Sequence, residues 1–353
     1  MSMFSRRLQA SSVDGSVAPG GYTPPDAGFT FAPGYPGGVN DFAGTALQDG
    51  SGITIQSNQT YSYYKNLQWG NIGTLGNPVH NVTFIGCLWE ADGANTAAVV
   101  PACDGDITFQ YCTIRPTNHT DHTAPVAQNA GYQYGIVADG TLASPGTWNS
   151  FVENGELIVD HCDIWGYANA TMVQGSTQTY PHSFTYNWVH NARLNTSGDD
   201  HTDGIGCPAG GSAAYVTISH NWIEDIGDTQ GLAYQNSPGP SVWDHFTITN
   251  NVFGGWGFTV NLSSGTPGSP GGGTNIIFED NIFSTRIRPA YGPLYTAAIA
   301  SGSGNSWRRN TWWVPSGAAW GSPAHDGWYW MPVDSNIIGN DDTPYVSQTD
   351  YTG

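Results

Sequence analysis

The densest concentration of groups able to do chemistry is Arg193 to Asp203, R-L-N-T-S-G-D-D-H-T-D. Asp199, Asp200 and Asp203 are hard oxygen donors of the kind Ca2+ gathers in sets of about six to eight. His201 stands among them, where an ordinary pKa near neutrality suits it to take a proton and nearby carboxylates favour its charged form. Asp203 also opens the string D-G-I-G, so a second reading assigns Asp203 and Gly204 to a backbone turn. Both stay open: a site with His201 and Asp200 as catalytic groups and Ca2+ on the three aspartates, or a structural turn.

Other stretches supply partners for such a site. R-P-T-N-H-T-D-H-T brings Arg115, His119, Asp121 and His122, and R-I-R-P brings Arg286 and Arg288. Asp225 and Asp228 follow a later strand signal, and Tyr132, Tyr134 and Trp165 border the polar segments. The candidate catalytic set is therefore His201, Asp200, Arg286 and Arg288. The candidate substrate-binding set is Arg115, His119, His122, Tyr132, Tyr134, Trp165 and Arg193. Two reactions suit these groups. Paired carboxylates can hydrolyse a glycoside, their spacing deciding retention or inversion. Arg or His can instead remove the proton α to a uronate while a cation neutralises the carboxylate, which gives β-elimination. A sugar-binding face without catalysis, or a hydrated polar flank, uses the same residues.

An eight-residue unit must carry these groups. V-T-I-S-H-N-W-I starts at Val216, F-T-I-T-N-N-V-F at Phe246 and I-I-F-E-D-N-I-F at Ile276, with a degraded S-W-R-R-N-T-W-W at Ser306. Upstream copies start at Val82, Ile107, Leu157 and His182. The sixth position reads Cys87, Cys112, Cys162, Asn187, Asn221, Asn251, Asn281 and Thr311, at spacings of 25, 50, 25, 34, 30, 30 and 30. Period-two alternation is a strand with one face buried. A fixed period of this size marks stacked units that cannot bury their apolar face alone. The Asn column is expected to tolerate a left-handed turn and to form an amide ladder, with the cysteines as buried fillers. A second short strand recurs in each rung, as in T-M-V-Q, D-G-I-G and L-A-Y-Q. Long insertions after Ile114, Val189 and Phe283 are expected on one side of the stack, forming its binding face.

The fold class that follows is all-β, a single-stranded parallel β-helix of about eight to ten rungs and roughly 40 Å. Residues 1–50 read as a Gly/Pro-rich arm, 51–315 as the solenoid, and 316–353, rich in Trp and Tyr, as a cap over its open end. Charged residues make up only 10% of the 353, Gly numbers 47 and aromatics reach 13%, which suits short strands and tight turns. The net charge is −19 with Lys65 as the one lysine, so nucleic acid is not an expected partner. No stretch approaches the ~18 apolar residues of a membrane span. M-S-M-F-S-R-R-L lacks the apolar run of a secretory signal. Five cysteines argue against a disulfide framework. The phosphate loop, the nucleophile elbow and zinc-spaced cysteines are all missing from the sequence.

The rung period and the Asn column, over roughly residues 53 to 315, resemble the right-handed parallel β-helix superfamily of pectate lyases, other polysaccharide lyases and hydrolases, and bacteriophage tailspikes. V-D-H-C (Val159 to Cys162) and R-I-R-P (Arg286 to Pro289) are similar to two pectate-lyase strings, although the calcium-binding aspartates of that family have no counterparts in place. The resemblance implies a virion component. On that expectation it is a minor tail protein or tailspike that contacts a host-surface glycan, with depolymerase activity as an option. It would assemble as a homotrimer and join other virion proteins through residues 1–50. The alternatives are a secreted lyase or hydrolase acting on acidic polysaccharide, and a purely structural capsid decoration protein.

Overall fold

A computed structural model describes residues 46–313 and the pair 337–338, apart from 92–96, 118–132, 142, 145–146, 148, 193–201, 208–210, 226–228, 235–242, 263–272, 285–286, 288, 290–291 and 296–303. The chain winds into three sheets whose strand pairings are all parallel, the order in each sheet following the sequence with few exceptions. This is a parallel β-helix. The described residues include no helix long and apolar enough to cross a membrane.

The first sheet has ten strands, among them Val82–Ile85, Ile107–Gln110, Leu157–Asp160, His182–Thr185, Ala213–Ser219, Trp243–Thr249, Ile277–Glu279 and Asn305–Arg308. Burial alternates along the repeat units from Val82 to Thr249, so their first and third residues point into the core. Pairing in register stacks Phe84 on Phe109 (5.3 Å between ring centres) and Phe278 on Trp307 (4.2 Å, 3° between planes). The two-residue bend then leads into the second sheet, also of ten strands, including Leu88–Ala91, Thr113–Pro116, Asp163–Trp165, Trp188–His190, Trp222–Asp225, Val252–Gly255 and Ile282–Ser284. Its strands are buried on both faces, which is why they read as apolar runs. The third sheet contains Ala97–Asp104, Tyr134–Ala138, Asn169–Val173, Asp203–Gly206, Gln230–Ala233, Phe258–Asn261 and Gly292–Tyr295.

The amide ladder runs through the bend. Asn251 Oδ1 accepts from the backbone N–H of Asn221 (3.0 Å) and from Asn221 Nδ2 (2.9 Å), while Asn251 Nδ2 donates to Ile218 O and Asn281 Oδ1, both at 2.9 Å. The same pattern links Asn187 to Asn221 and Asn281 to Asn310. Where the column is cysteine, Sγ takes over the donor role, as from Cys112 to Phe84 O and from Cys162 to Phe109 O. All five cysteines are free and buried.

Four details depart from the sequence reading. The left-handed residue is the fifth of the unit, not the sixth. Tyr63, Gly86, Tyr111, His161, Tyr186, His220, Asn250, Asp280 and Arg309 have φ between 53° and 62°. The fifth residue reverses the chain and leaves its side chain outside, so the sixth is free to aim its amide inward. The last unit starts at Asn305 rather than Ser306, because Ser306 pairs with Ile277, and Asn310 rather than Thr311 closes the ladder. Ile53–Gln56, whose I-T-I-Q pattern reads from sequence as the first strand signal, is not a strand; the N–H of Ile55 bonds to Gln68 Oε1 instead of to a sheet. Strands also lie beyond the expected solenoid limits, with Gln48–Asp49 paired to Tyr64–Lys65 and Ile337–Ile338 paired to Asn305–Arg308.

Candidate functional site

The expected insertions all leave the stack at one corner, between the second and third sheets. The connections run from Pro116 to Tyr134, from His190 to Asp203 and from Ser284 to Gly292, whereas rungs without insertions turn there in a few residues, as from Trp165 to Asn169 and from Gly255 to Phe258. In-register pairing on the third sheet lines up Tyr134, Asn169, Asp203, Gln230 and Phe258 along this corner. None of the five belongs to the hydrophobic core; Tyr134 and Phe258 are half-buried, while Asn169, Asp203 and Gln230 are buried.

Glycines explain the local string. A Cβ on Gly204 would stand 2.2 Å from Gly231 O, and one on Gly231 would stand 2.7 Å from Thr259 O. Rungs approach too closely there for a side chain, so D-G-I and Q-G-L are packing rules of the third sheet. Asp203 and Gly204 lie in the strand Asp203–Gly206 rather than in a turn, and the hydroxyl of Thr229, one rung on, lies 2.6 Å from Thr202 O and 2.9 Å from Asp203 Oδ1. The carboxylate is nevertheless held in the column, between the amides of Asn169 and Gln230.

The outer side of the second sheet forms the adjoining wall. His190 Nε2 bonds to Asp163 Oδ1 at 2.8 Å, with both side chains almost fully buried. The imidazole is stacked on Trp188 (3.6 Å between ring centres, 16°) and lies parallel to Trp165 at 6.0 Å. Asp163 Oδ2 and Trp165 Nε1 are buried without hydrogen-bond partners. Further along, Trp222 Nε1 and Ser284 Oγ both donate to Glu224 (2.9 and 2.5 Å), and Asp225 accepts from the backbone N–H of Ala192 at the root of an insertion. Earlier in the stack, Glu90 bridges Lys65 (2.6 Å) and Arg115 (2.8 Å).

Of the candidate catalytic, substrate-binding and metal-ligating sets expected from sequence, four residues are described, and the neighbouring Asp225 is described as well. Asp203 and Tyr134 share the column. Trp165 is buried in the wall, and Arg115 is buried against Glu90. Arg193, Asp199, Asp200, His201, His119, His122, Tyr132, Arg286 and Arg288 lie outside the described residues. Among the described residues no cluster of three His, Cys, Asp or Glu side chains is placed to hold a metal. Sequence reading missed Asn169, Gln230, Asp163, Trp188 and His190. The in-register starts of the third-sheet strands would have exposed the first two. The wall residues alternate with apolar ones inside short strands and give no separate signal.

Chemically, the corner joins a row of hydrogen-bonding amides and a carboxylate, aromatic rings at both ends, and a wall of tryptophans and paired carboxylates. Such groups grip hydroxyls and the apolar faces of sugar rings.

No family model and no curated protein matches this chain. The crystal structure of the Dettilon tailspike protein is similar at 15% identity, with a TM-score of 0.31, over 75% of this chain and 50% of that one. The chain thus spans about half the length of that protein.

Proposed function

We propose that this chain is the glycan-contacting rod of a phage tail protein, holding host-surface polysaccharide along the corner between the second and third sheets. One observation carries this reading: Tyr134, Asn169, Asp203, Gln230 and Phe258 stand in register, one per rung, at the corner where the connections Pro116 to Tyr134, His190 to Asp203 and Ser284 to Gly292 leave the stack. Rungs repeat at ~4.8 Å, close to the advance of one sugar in an extended chain, so successive residues meet successive sugars. In this reading His201, Asp200, Arg286 and Arg288 remain the candidate catalytic groups, and Arg193, His119, His122 and Tyr132 further substrate-binding groups. Asp199, Asp200 and Asp203 are the ligands if Ca2+ takes part. In this reading the rods form a homotrimer in the virion and join other virion proteins through residues 1–50.

The test incubates the full chain with host-envelope and model acidic polysaccharides, following retention, chain length and new unsaturated ends. The comparison is Asp203→Asn with Gln230→Ala, checked by circular dichroism for an intact fold. Retention of wild type with loss in the variant supports the corner. Cleavage that the variant abolishes adds depolymerase activity. Equal retention of both proteins sinks the reading.

A further inference from the structure

The outer face of the first sheet is the opposite of the corner: flat, open and uncharged over three consecutive rungs. Ser183 and Thr185, Thr217 and Ser219, and Thr247 and Thr249 stand in register, facing out between the core residues of their strands. All six are half-buried rather than covered. Thr185 donates to Asp160 at 2.8 Å; the other five hydroxyls have no side-chain partner among the described residues. This stands out in a chain of net charge −19.

Both borders of the face are aromatic. On the bend side, Tyr111, His161, Tyr186 and His220 form a stack with ring centres 4.9, 4.7 and 4.7 Å apart. On the other side, Tyr215 stacks on His245 at 4.3 Å and 10°. Left-handed backbone at Tyr186, Tyr215, His220 and His245 turns these rings outward. The nearest charges are already engaged. Asp160 lies 2.9 Å from His161 Nδ1 and also meets Gln110, and Asp244 bonds to His245, Thr274 and Asn275. Burial lowers the pKa of His220, so that ring is neutral at pH 7.

We infer that this face is a second binding platform, for an extended uncharged β-linked polysaccharide lying flat across the Thr/Ser rows between the two aromatic borders. Rigid rows of hydroxyls meet sugar hydroxyls, and the threonine methyls and ring edges meet C–H faces. The face carries no cation to hold an acidic glycan, while an uncharged one needs none. Three rungs by four residues cover about 14 Å by 13 Å, or ~200 Å². A stable protein partner needs ~800 Å² per side, whereas three or four sugars need no more than this face offers. The platform is separate from the corner site and does not depend on it.

The experiment measures depletion of the full chain from solution by microcrystalline cellulose and by chitin powder, with soluble polygalacturonate as the acidic competitor. Thr217→Glu with Thr247→Glu places two carboxylates at the centre of the platform, on outward positions that leave the core intact. A milder variant, Thr217→Val with Thr247→Val, removes the hydroxyls without adding charge. The expected result is depletion by at least one powder, insensitive to polygalacturonate. It should fall by about tenfold or more in the Glu variant, where carboxylates would be desolvated, and to a lesser extent in the Val variant. Asp203→Asn should leave it unchanged. No depletion by either powder, equal depletion of the Glu variant, or self-association of wild type in sedimentation that the Glu variant abolishes would each overturn the proposal.

Discussion

Replacing Asn251 by alanine is the sharpest single test of how the rungs are held together. The side chain is fully buried, and its loss strips Asn221 N–H of its acceptor at 3.0 Å. It also removes the donor to Ile218 O and both amide links, to Asn221 and to Asn281. An orphaned buried N–H costs about 1–3 kcal/mol, and each lost neutral bond about 1 kcal/mol. The sum is about 4–6 kcal/mol, a large part of the ~5–15 kcal/mol that holds a typical domain together. Asn250→Ala next door is the control, because it changes a side chain outside the ladder at a left-handed position, where alanine meets backbone strain of about 1–2 kcal/mol. Asn251→Cys, copying Cys162, should recover part of the loss by restoring a donor. The assay is urea unfolding followed by tryptophan fluorescence, with hydrogen exchange of the Asn221 amide to locate the damage. If Asn251→Ala costs under ~1 kcal/mol, or no more than Asn250→Ala, the column only fills space and the ladder argument is wrong.

Three further outcomes are expected. His182 points into the core, its Nε2 is buried without a partner, and burial lowers its pKa to about 4. Its unfolded value is near 6.5, so the contribution is complete above that pH and is lost as pH falls from 6.5 towards 4, by about 3 kcal/mol in all. His182→Leu should flatten that part of the stability–pH curve, and a curve unchanged by the substitution would refute the assignment. Burial raises the thiol pKa of Cys103 to about 12 and pushes Cys87, Cys112 and Cys207 upward as well. Ellman's reagent should therefore label none of the five cysteines in the native chain and all of them in guanidinium; rapid native labelling would contradict the burial. Glu90→Gln weakens the ion pairs that hold Lys65 and Arg115, and Arg115 is buried with it. Thermal unfolding should show a loss of about 3 kcal/mol or more, as for other broken buried pairs, and no change would mean the pair is solvated.

The repeat was legible because inward and outward residues alternate, so Val-x-Ile and Phe-x-Ile patterns survive any loop length between rungs. The corner was legible for the same reason, since insertion length is visible once the units are aligned. The earliest rung escaped notice because Tyr61 and Tyr64 pack only partly against the core and leave no apolar signature. The last rung slipped by one residue because a tryptophan-rich run fits two registers, and only the pairing of Ser306 with Ile277 decides between them. The left-handed position was misplaced because tyrosine and arginine share it with histidine, asparagine, aspartate and glycine, so no one residue type marks the column. The His190–Asp163 pair joins neighbouring rungs 27 positions apart, and no local pattern encodes a contact of that kind.

The most direct measurement is a crystal or cryo-electron-microscopy structure of the full chain saturated with a host-surface oligosaccharide. The expected result is sugar density running along Tyr134, Asn169, Asp203, Gln230 and Phe258, one residue advancing per rung. A saturated complex with its sugar elsewhere, and that row of residues bare, would contradict the corner as the glycan site.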